Sequence, residues 1–135
     1  MESVSIKKIA GDFVFLFREV RGFEFGEGWS RPVYDMASEI SMEAQRLGMD
    51  NQDPFTYPCI SQIKEKFGEL RVHIRNASPE MKLAAEMAME KSKSTCEMCG
   101  LAGEIRRNTG WHHVACDPCE IKIVDERKAF SLGDK

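Results

Sequence analysis

An α+β fold, in which helices and a β-hairpin form a core and a treble-clef-like four-cysteine zinc finger closes the chain, follows from three observations. Apolar residues recur at three- and four-residue steps over residues 30–47, which marks one face of a helix. Residues 70–75 alternate apolar and polar side chains, the mark of a half-buried strand. Two Cys-x-x-Cys pairs, Cys96/Cys99 and Cys116/Cys119, are separated by sixteen residues, a spacing that fits a structural zinc site. On this reading residues 1–94 form an α+β core and residues 95–135 a zinc-finger module packed on it, since no long linker intervenes.

The elements follow in chain order. Residues 12–29 mix short apolar runs with glycines, which break any long element and form a loop that delivers Trp29 to the core. Ser30 reads as an N-cap with Pro32 in the first turn. Val33, Met36, Ala37, Ile40, Ala44 and Leu47 then line one helix face, and Gly48 stops it. After a polar loop, residues 59–67 and 70–75 predict a hairpin turned at Gly68. Leu70, Val72 and Ile74 face the core, and Arg71, His73 and Arg75 face out. Ile60 and Ile63 break strict alternation in the first strand, which predicts a bulge or a short helical start. Ser78-Pro79-Glu80 opens a second helix to about residue 93, with Met81, Leu83, Ala84, Ala85, Met87 and Ala88 as a broad apolar face.

The module reads as knuckle, hairpin and helix. Gly100 after the first pair permits the positive φ of a zinc knuckle. Asn108-Thr109-Gly110 turns a short hairpin over residues 104–107 and 111–115. The second pair opens a helix over residues 118–130, with Pro118 in its first turn. Zinc takes four thiolates tetrahedrally at about 2.3 Å, and a closed shell of that kind builds structure and leaves no position for substrate. A disulfide framework is disfavoured, because no cleavable leader is evident and Cys59 lacks a mate. A thioredoxin-like motif expects one Cys-x-x-Cys pair, not two.

Bulk properties exclude some classes. Hydrophobic and charged fractions of 42% and 30% are those of an ordinary globular chain, and no apolar run approaches the length of a membrane span. Five cysteines without secretion signals point to a reducing cytoplasm. The net charge of −3 argues against a uniformly basic nucleic-acid binder. The acidity concentrates in residues 1–58, with ten acids and six bases, so a basic face further along is compatible with it.

Lys64, Lys66, Arg71 and Arg75 line one hairpin, within reach of Arg106 and Arg107 if the module packs nearby. They read either as a docking patch or as a solvated sheet face paired with Glu65 and Glu69. Trp111 beside Arg107 is either a contact residue or a cover for the cysteine sulfurs. His112 and His113 are placed on the hairpin surface. In an HNH-type nuclease a histidine there would act as general base, but residues 120–130 offer no His or Asn to hold a catalytic magnesium. Cys59 reads as a buried thiol.

Three segments occur in a fixed order: Gly26-Glu-Gly28-Trp29, then Ile60-Ser-Gln-Ile-Lys-Glu-Lys-Phe-Gly-Glu-Leu-Arg71, then Cys96-x-x-Cys99-Gly, Gly110-Trp111 and Cys116-Asp-x-Cys119. Over about residues 25–120 the chain resembles a group of small, mostly uncharacterised proteins of bacteriophages, prophages and some bacteria. Those proteins share a GDGW-like turn, a hairpin of the pattern Q-[IV]-K-E-K-F-G-x-L-R and a C-terminal four-cysteine finger. Val72-His73 departs from the aromatic pair common there. The resemblance implies the zinc ligands and a phage or prophage origin, and implies no activity. The combined expectation is a non-enzymatic zinc protein of the bacterial cytoplasm that docks on a host or phage protein, as an inhibitor or regulator. The alternative is a nucleic-acid-binding regulator using the finger and the basic hairpin face.

Overall fold

The computed structural model describes residues 5–107 and 110–133. Its elements are α1 (Ile6–Asp12), a 3-10 turn (Glu27–Trp29), α2 (Ser30–Arg46), β1 (Cys59–Lys66), β2 (Glu69–Arg75), α3 (Pro79–Ser92), β3 (Glu104–Arg106), β4 (His113–Ala115) and α4 (Asp117–Gly133). Strands β1 and β2 make one antiparallel pair, β3 and β4 another. The fold is α+β, with the four cysteines gathered in its C-terminal region. Among the described residues, no helix is long and apolar enough to cross a membrane.

Helix α1 was not expected from sequence. Ser5 caps it by accepting the Lys8 N–H at 3.2 Å. Only Ile9 is buried along it, so it presents too few periodic apolar positions to stand out. The following segment buries Leu16, Phe17 and Phe25 before Trp29 reaches the centre of the core with no exposure. Burying a tryptophan contributes about 4–6 kcal/mol of transfer free energy before chain entropy is counted.

Helix α2 begins differently from the sequence reading. Ser30 is its first residue rather than its N-cap, because the 3-10 turn runs straight into it. The Ser30 hydroxyl donates to Glu27 Oε2 at 3.1 Å instead of capping. Val33, Met36, Ala37, Ile40 and Ala44 are buried as expected. Leu47 is not; it is half exposed because the helix has ended at Arg46. Gly48, at φ +69, completes a Schellman stop in which Met49 N–H donates to Ala44 O at 2.9 Å and Gly48 N–H to Gln45 O at 3.0 Å.

Of the two alternatives for the first strand, a bulge or a short helical start, the β1–β2 pair carries the bulge. Register shifts between Ile60/Ile74 and Gln62/His73. The extra residue, Ser61, lets Ile60 and Ile63 face the core although an odd number of positions separates them. The edge of β1 is closed: Ile60 N–H donates to Leu16 O and Glu65 N–H to Glu24 O. Phe67 belongs to the turn and not to the strand. Phe67 and Gly68 have φ of 56 and 80, and positive φ at both central residues is the mark of a type I′ turn. Helix α3 starts on Ser78, which accepts the Met81 N–H at 3.2 Å. Met81, Ala85 and Ala88 are buried. Leu83 and Met87, expected on the same apolar face, are exposed.

Contacts cross from the core into the C-terminal region. Val114 is part of the main core, and Ile105 packs against it. An ideal Cβ on Gly68 would collide with the Ile105 side chain, so the β1–β2 turn sits directly on the β3–β4 hairpin.

A type I′ turn prefers Asn where Phe67 stands, since a bulky side chain in the left-handed region costs about 1–2 kcal/mol. Phe67→Asn is expected to stabilise the chain by about 1 kcal/mol, read as a raised urea midpoint at unchanged slope. An unchanged or lowered midpoint would mean that Phe67 contributes packing that offsets its strain.

Candidate metal centre

The four cysteines converge because two local structures aim them at one point. After Cys96 the chain reverses tightly: Gly100 N–H donates to Cys96 O at 2.9 Å and Cys96 N–H to Leu101 O at 2.7 Å. Gly100 sits at φ +84, the left-handed geometry such a knuckle needs. The other pair flanks the start of α4. Cys116 precedes it, Pro118 takes the first turn, and Cys119 follows one turn on. The helix thus opens at Asp117, one residue before the expected start.

The four Sγ atoms lie within 4.8 Å of one another, and Cys99 and Cys116 sulfurs are 3.6 Å apart. A tetrahedron with 2.3 Å bonds has edges of about 3.8 Å, so the spacing suits four thiolates around one ion. It is far beyond the roughly 2.05 Å of a disulfide, and all five cysteines are free. Burial alone would raise the Cys96 thiol. Backbone N–H groups of Cys116, Cys99 and Met98 outweigh it and bring the pKa down to about 7. Cys119 goes the other way, pushed up to about 12 by the neighbouring Cys116 sulfur, then by burial and by the Cys96 and Cys99 sulfurs. Four thiolates repel one another at this distance, and a divalent cation is what lets all four ionise.

A second contact fixes the knuckle, and sequence reasoning missed its role. Gly28 N–H donates to Glu97 O at 2.7 Å, Gly26 N–H to Glu97 Oε2 at 2.8 Å, and Trp29 Nε1–H to Thr95 O at 2.8 Å. A Cβ on Gly28 would overlap the Cys96 carbonyl oxygen, and one on Gly26 would overlap that of Glu97. The Gly26–Trp29 turn is therefore a wedge packed backbone to backbone against the first cysteine pair. The two glycines in Gly-x-Gly-Trp were the available signal.

A comparison with protein-family models, curated proteins and solved structures finds no match for this chain.

The structure distributes the remaining candidate residues unevenly. Arg106 is turned inward: its guanidinium donates to Ala115 O at 3.1 and 3.0 Å and to Asp117 Oδ1 at 2.7 Å, tying β4 to α4. Arg107, the residue after β3, is exposed. The turn residues Asn108 and Thr109 lie outside the described residues. Trp111 stacks on His113, with ring centroids 4.2 Å apart, and stays partly exposed.

His113 was expected on the surface and is buried. The register pairing Arg106 with His113 turns its ring toward α4, where Nε2 meets Glu120 Oε1 at 2.7 Å and Nδ1 meets Trp111 O at 2.9 Å. A carbonyl only accepts, so Nδ1 carries a proton, and neither ring nitrogen is left for a substrate. His112 stays partly exposed beside Phe67. Cys59 is buried as expected, and burial pushes its thiol up, which leaves it unreactive. Among the described residues, the four cysteines are the one group of three or more His, Cys, Asp or Glu placed to share an ion.

Lys64, Lys66 and Arg71 share a face of β1–β2 with Gln62, Phe67 and His73, lining an open depression of about 380 Å³. Arg75 lies apart and pairs with Glu19.

Gly28→Ala is expected to destabilise the chain by about 1–3 kcal/mol through overpacking against the Cys96 backbone. Gly11→Ala, in open space within α1, is expected to be neutral or to stabilise by up to ~1 kcal/mol. Urea unfolding of both variants checks the contrast, and equal effects would remove the wedge from the account.

Proposed function

We propose that this chain is a non-enzymatic zinc protein, a nucleic-acid-binding regulator of phage or prophage type. The outer face of the β1–β2 hairpin is its docking surface. Zinc is the preferred ion because four soft thiolates in a closed tetrahedron suit it and leave no reactive position. The ion is structural: it staples the knuckle to α4, and the module in turn supports the hairpin turn through Ile105 and His112. The order knuckle, hairpin, helix is that of a treble-clef finger.

The observation that carries the reading is the composition of the hairpin depression. Lys64, Lys66 and Arg71 surround it, with His73 and an exposed Phe67. Cations interleaved with an aromatic ring are what a nucleic-acid strand calls for. The sequence resemblance supports the phage or prophage setting, and five free cysteines fit a reducing cytoplasm.

Docking on a host or phage protein is the second reading, and a different surface favours it. Leu83 and Met87, one turn apart on α3, are 55% and 65% exposed. Apolar side chains at that spacing suit a protein contact.

Metal analysis of the purified chain is expected to return one zinc per chain, and Cys96→Ser to lose both the metal and the fold of the module. Iron in place of zinc, or normal folding without metal, would overturn the zinc assignment. A tagged pull-down with and without nuclease separates the two docking readings. Recovery of partners that collapses on nuclease treatment is expected. A stoichiometric protein that survives nuclease, and is lost with Leu83→Ser and Met87→Ser, would replace it.

A further inference from the structure

Two features on the outer hairpin face work against the stability of the fold. Lys64 stands directly opposite Arg71 in the strand register, and like charges placed so are destabilising. Three residues along the chain, Phe67 holds a left-handed backbone with its ring 69% exposed. A turn that favours Asn or Gly thus carries a bulky aromatic side chain, extended into solvent. Among the described residues, Lys64 forms no ion pair, and Lys66 Nζ lies 5.7 Å from the Phe67 ring centre. Arg71 has only Glu69, at 3.4 Å. Local choices that oppose the fold, gathered on one surface, point to a site.

We infer that this depression binds single-stranded nucleic acid, with phosphates on Lys64, Lys66 and Arg71 and an unpaired base stacked on Phe67. This rests on the nucleic-acid reading above and narrows it to one kind of strand. Two arguments select a single strand. A β-ribbon reads duplex DNA by entering the major groove, and this ribbon is held too closely to do so. Its turn is seated on Ile105 and His112 of the module, and its β1 edge is covered by the chain at Leu16 and Glu24. One face alone is open. That face ends in an aromatic ring, whose flat side only a base outside a duplex can meet. The volume of about 380 Å³ suits a nucleotide unit rather than a length of duplex. The net charge of −3 keeps the attraction local, so stacking carries a large share of the affinity.

Fluorescence anisotropy of the zinc-loaded full chain tests this. The probes are a mixed-sequence single-stranded DNA oligonucleotide, the same sequence as RNA, and the DNA duplex. Tighter binding of at least one single strand than of the duplex is expected, and the DNA and RNA arms show which strand chemistry is preferred. The plot of log affinity against log salt should have a slope of about −2, from three cations at about −0.7 each. Lys64→Gln and Arg71→Gln should each make that slope shallower by about 0.7. Lys82→Gln, on exposed α3 surface, should leave it unchanged. Phe67→Asn should weaken single-strand binding by about 5- to 150-fold with the slope unchanged, and Phe67→Tyr should largely restore it. Weaker binding in Phe67→Asn without any loss of fold stability separates a contact role from a structural one. If duplex and single strand bind equally, or Phe67→Asn binds normally while Lys64→Gln does not, the single-strand inference fails and the nucleic-acid reading stands. If no probe binds, the nucleic-acid reading itself fails.

Discussion

The wedge of Gly26-Glu27-Gly28-Trp29 against the backbone of the first cysteine pair is the contact on which the rest of the structure depends. It joins two parts of the chain about seventy positions apart, through the Gly28 N–H on Glu97 O and the Trp29 ring N–H on Thr95 O. A side chain at either glycine would force the knuckle away. Close backbone approach of this kind is what glycine alone permits. Because Trp29 is also the largest fully buried residue of the core, one turn orients the knuckle and fills the interior at once. The cluster of four sulfurs therefore rests on a foundation laid by the N-terminal half.

That foundation reaches the opposite side of the molecule. From the knuckle, Ile105 and Val114 carry packing into the main core, and Gly68 brings the β1–β2 turn down onto the same hairpin. Behind it, Arg106 clamps β4 to the start of α4, and His113 and Glu120 form a buried pair. The Nε2–Oε1 contact offsets part of the desolvation that burial imposes on both, while Glu120 Oε2 is buried without a hydrogen-bond partner among the described residues. The result is a rigid support under a turn whose own chemistry, with phenylalanine at positive φ, would not favour its shape. A metal ion in the thiolate cluster would stiffen that support by tying the knuckle to the start of α4.

Charge follows the same division. The carboxylate-rich N-terminal part contributes wedge and core, and the cations Lys64, Lys66 and Arg71 line an open depression on one hairpin face. Arg75 is neutralised by Glu19 and Arg106 by Asp117 and Glu104, so candidates that looked equivalent as a row of bases differ once folded. Lys64, Lys66 and Arg71 share a depression, Arg71 with Glu69 as its ion-pair partner. The acidic balance of the whole chain says little about that face, because screened charges act over roughly a Debye length of 8–10 Å.

The amino-acid sequence by itself determined whatever depends on local periodicity or fixed spacing. The buried stripe of α2, the glycine stop at Gly48, the bulge near Ile60, the cap at Ser78 and the four-cysteine cluster all arise from neighbours within a few positions or from one repeated motif. Tertiary structure alone decided the rest. Leu83 and Met87 are exposed because α3 presents only its Met81–Ala85–Ala88 stripe to the core. His113 is buried because the strand register turns it toward α4. Ser30 is no cap because a 3-10 turn precedes it, and Gly26 and Gly28 are wedge residues because Cys96 and Glu97 lie against them. Each of these outcomes depends on a partner far away in the chain, and a side chain's preference carries no information about which partner the fold will bring to it.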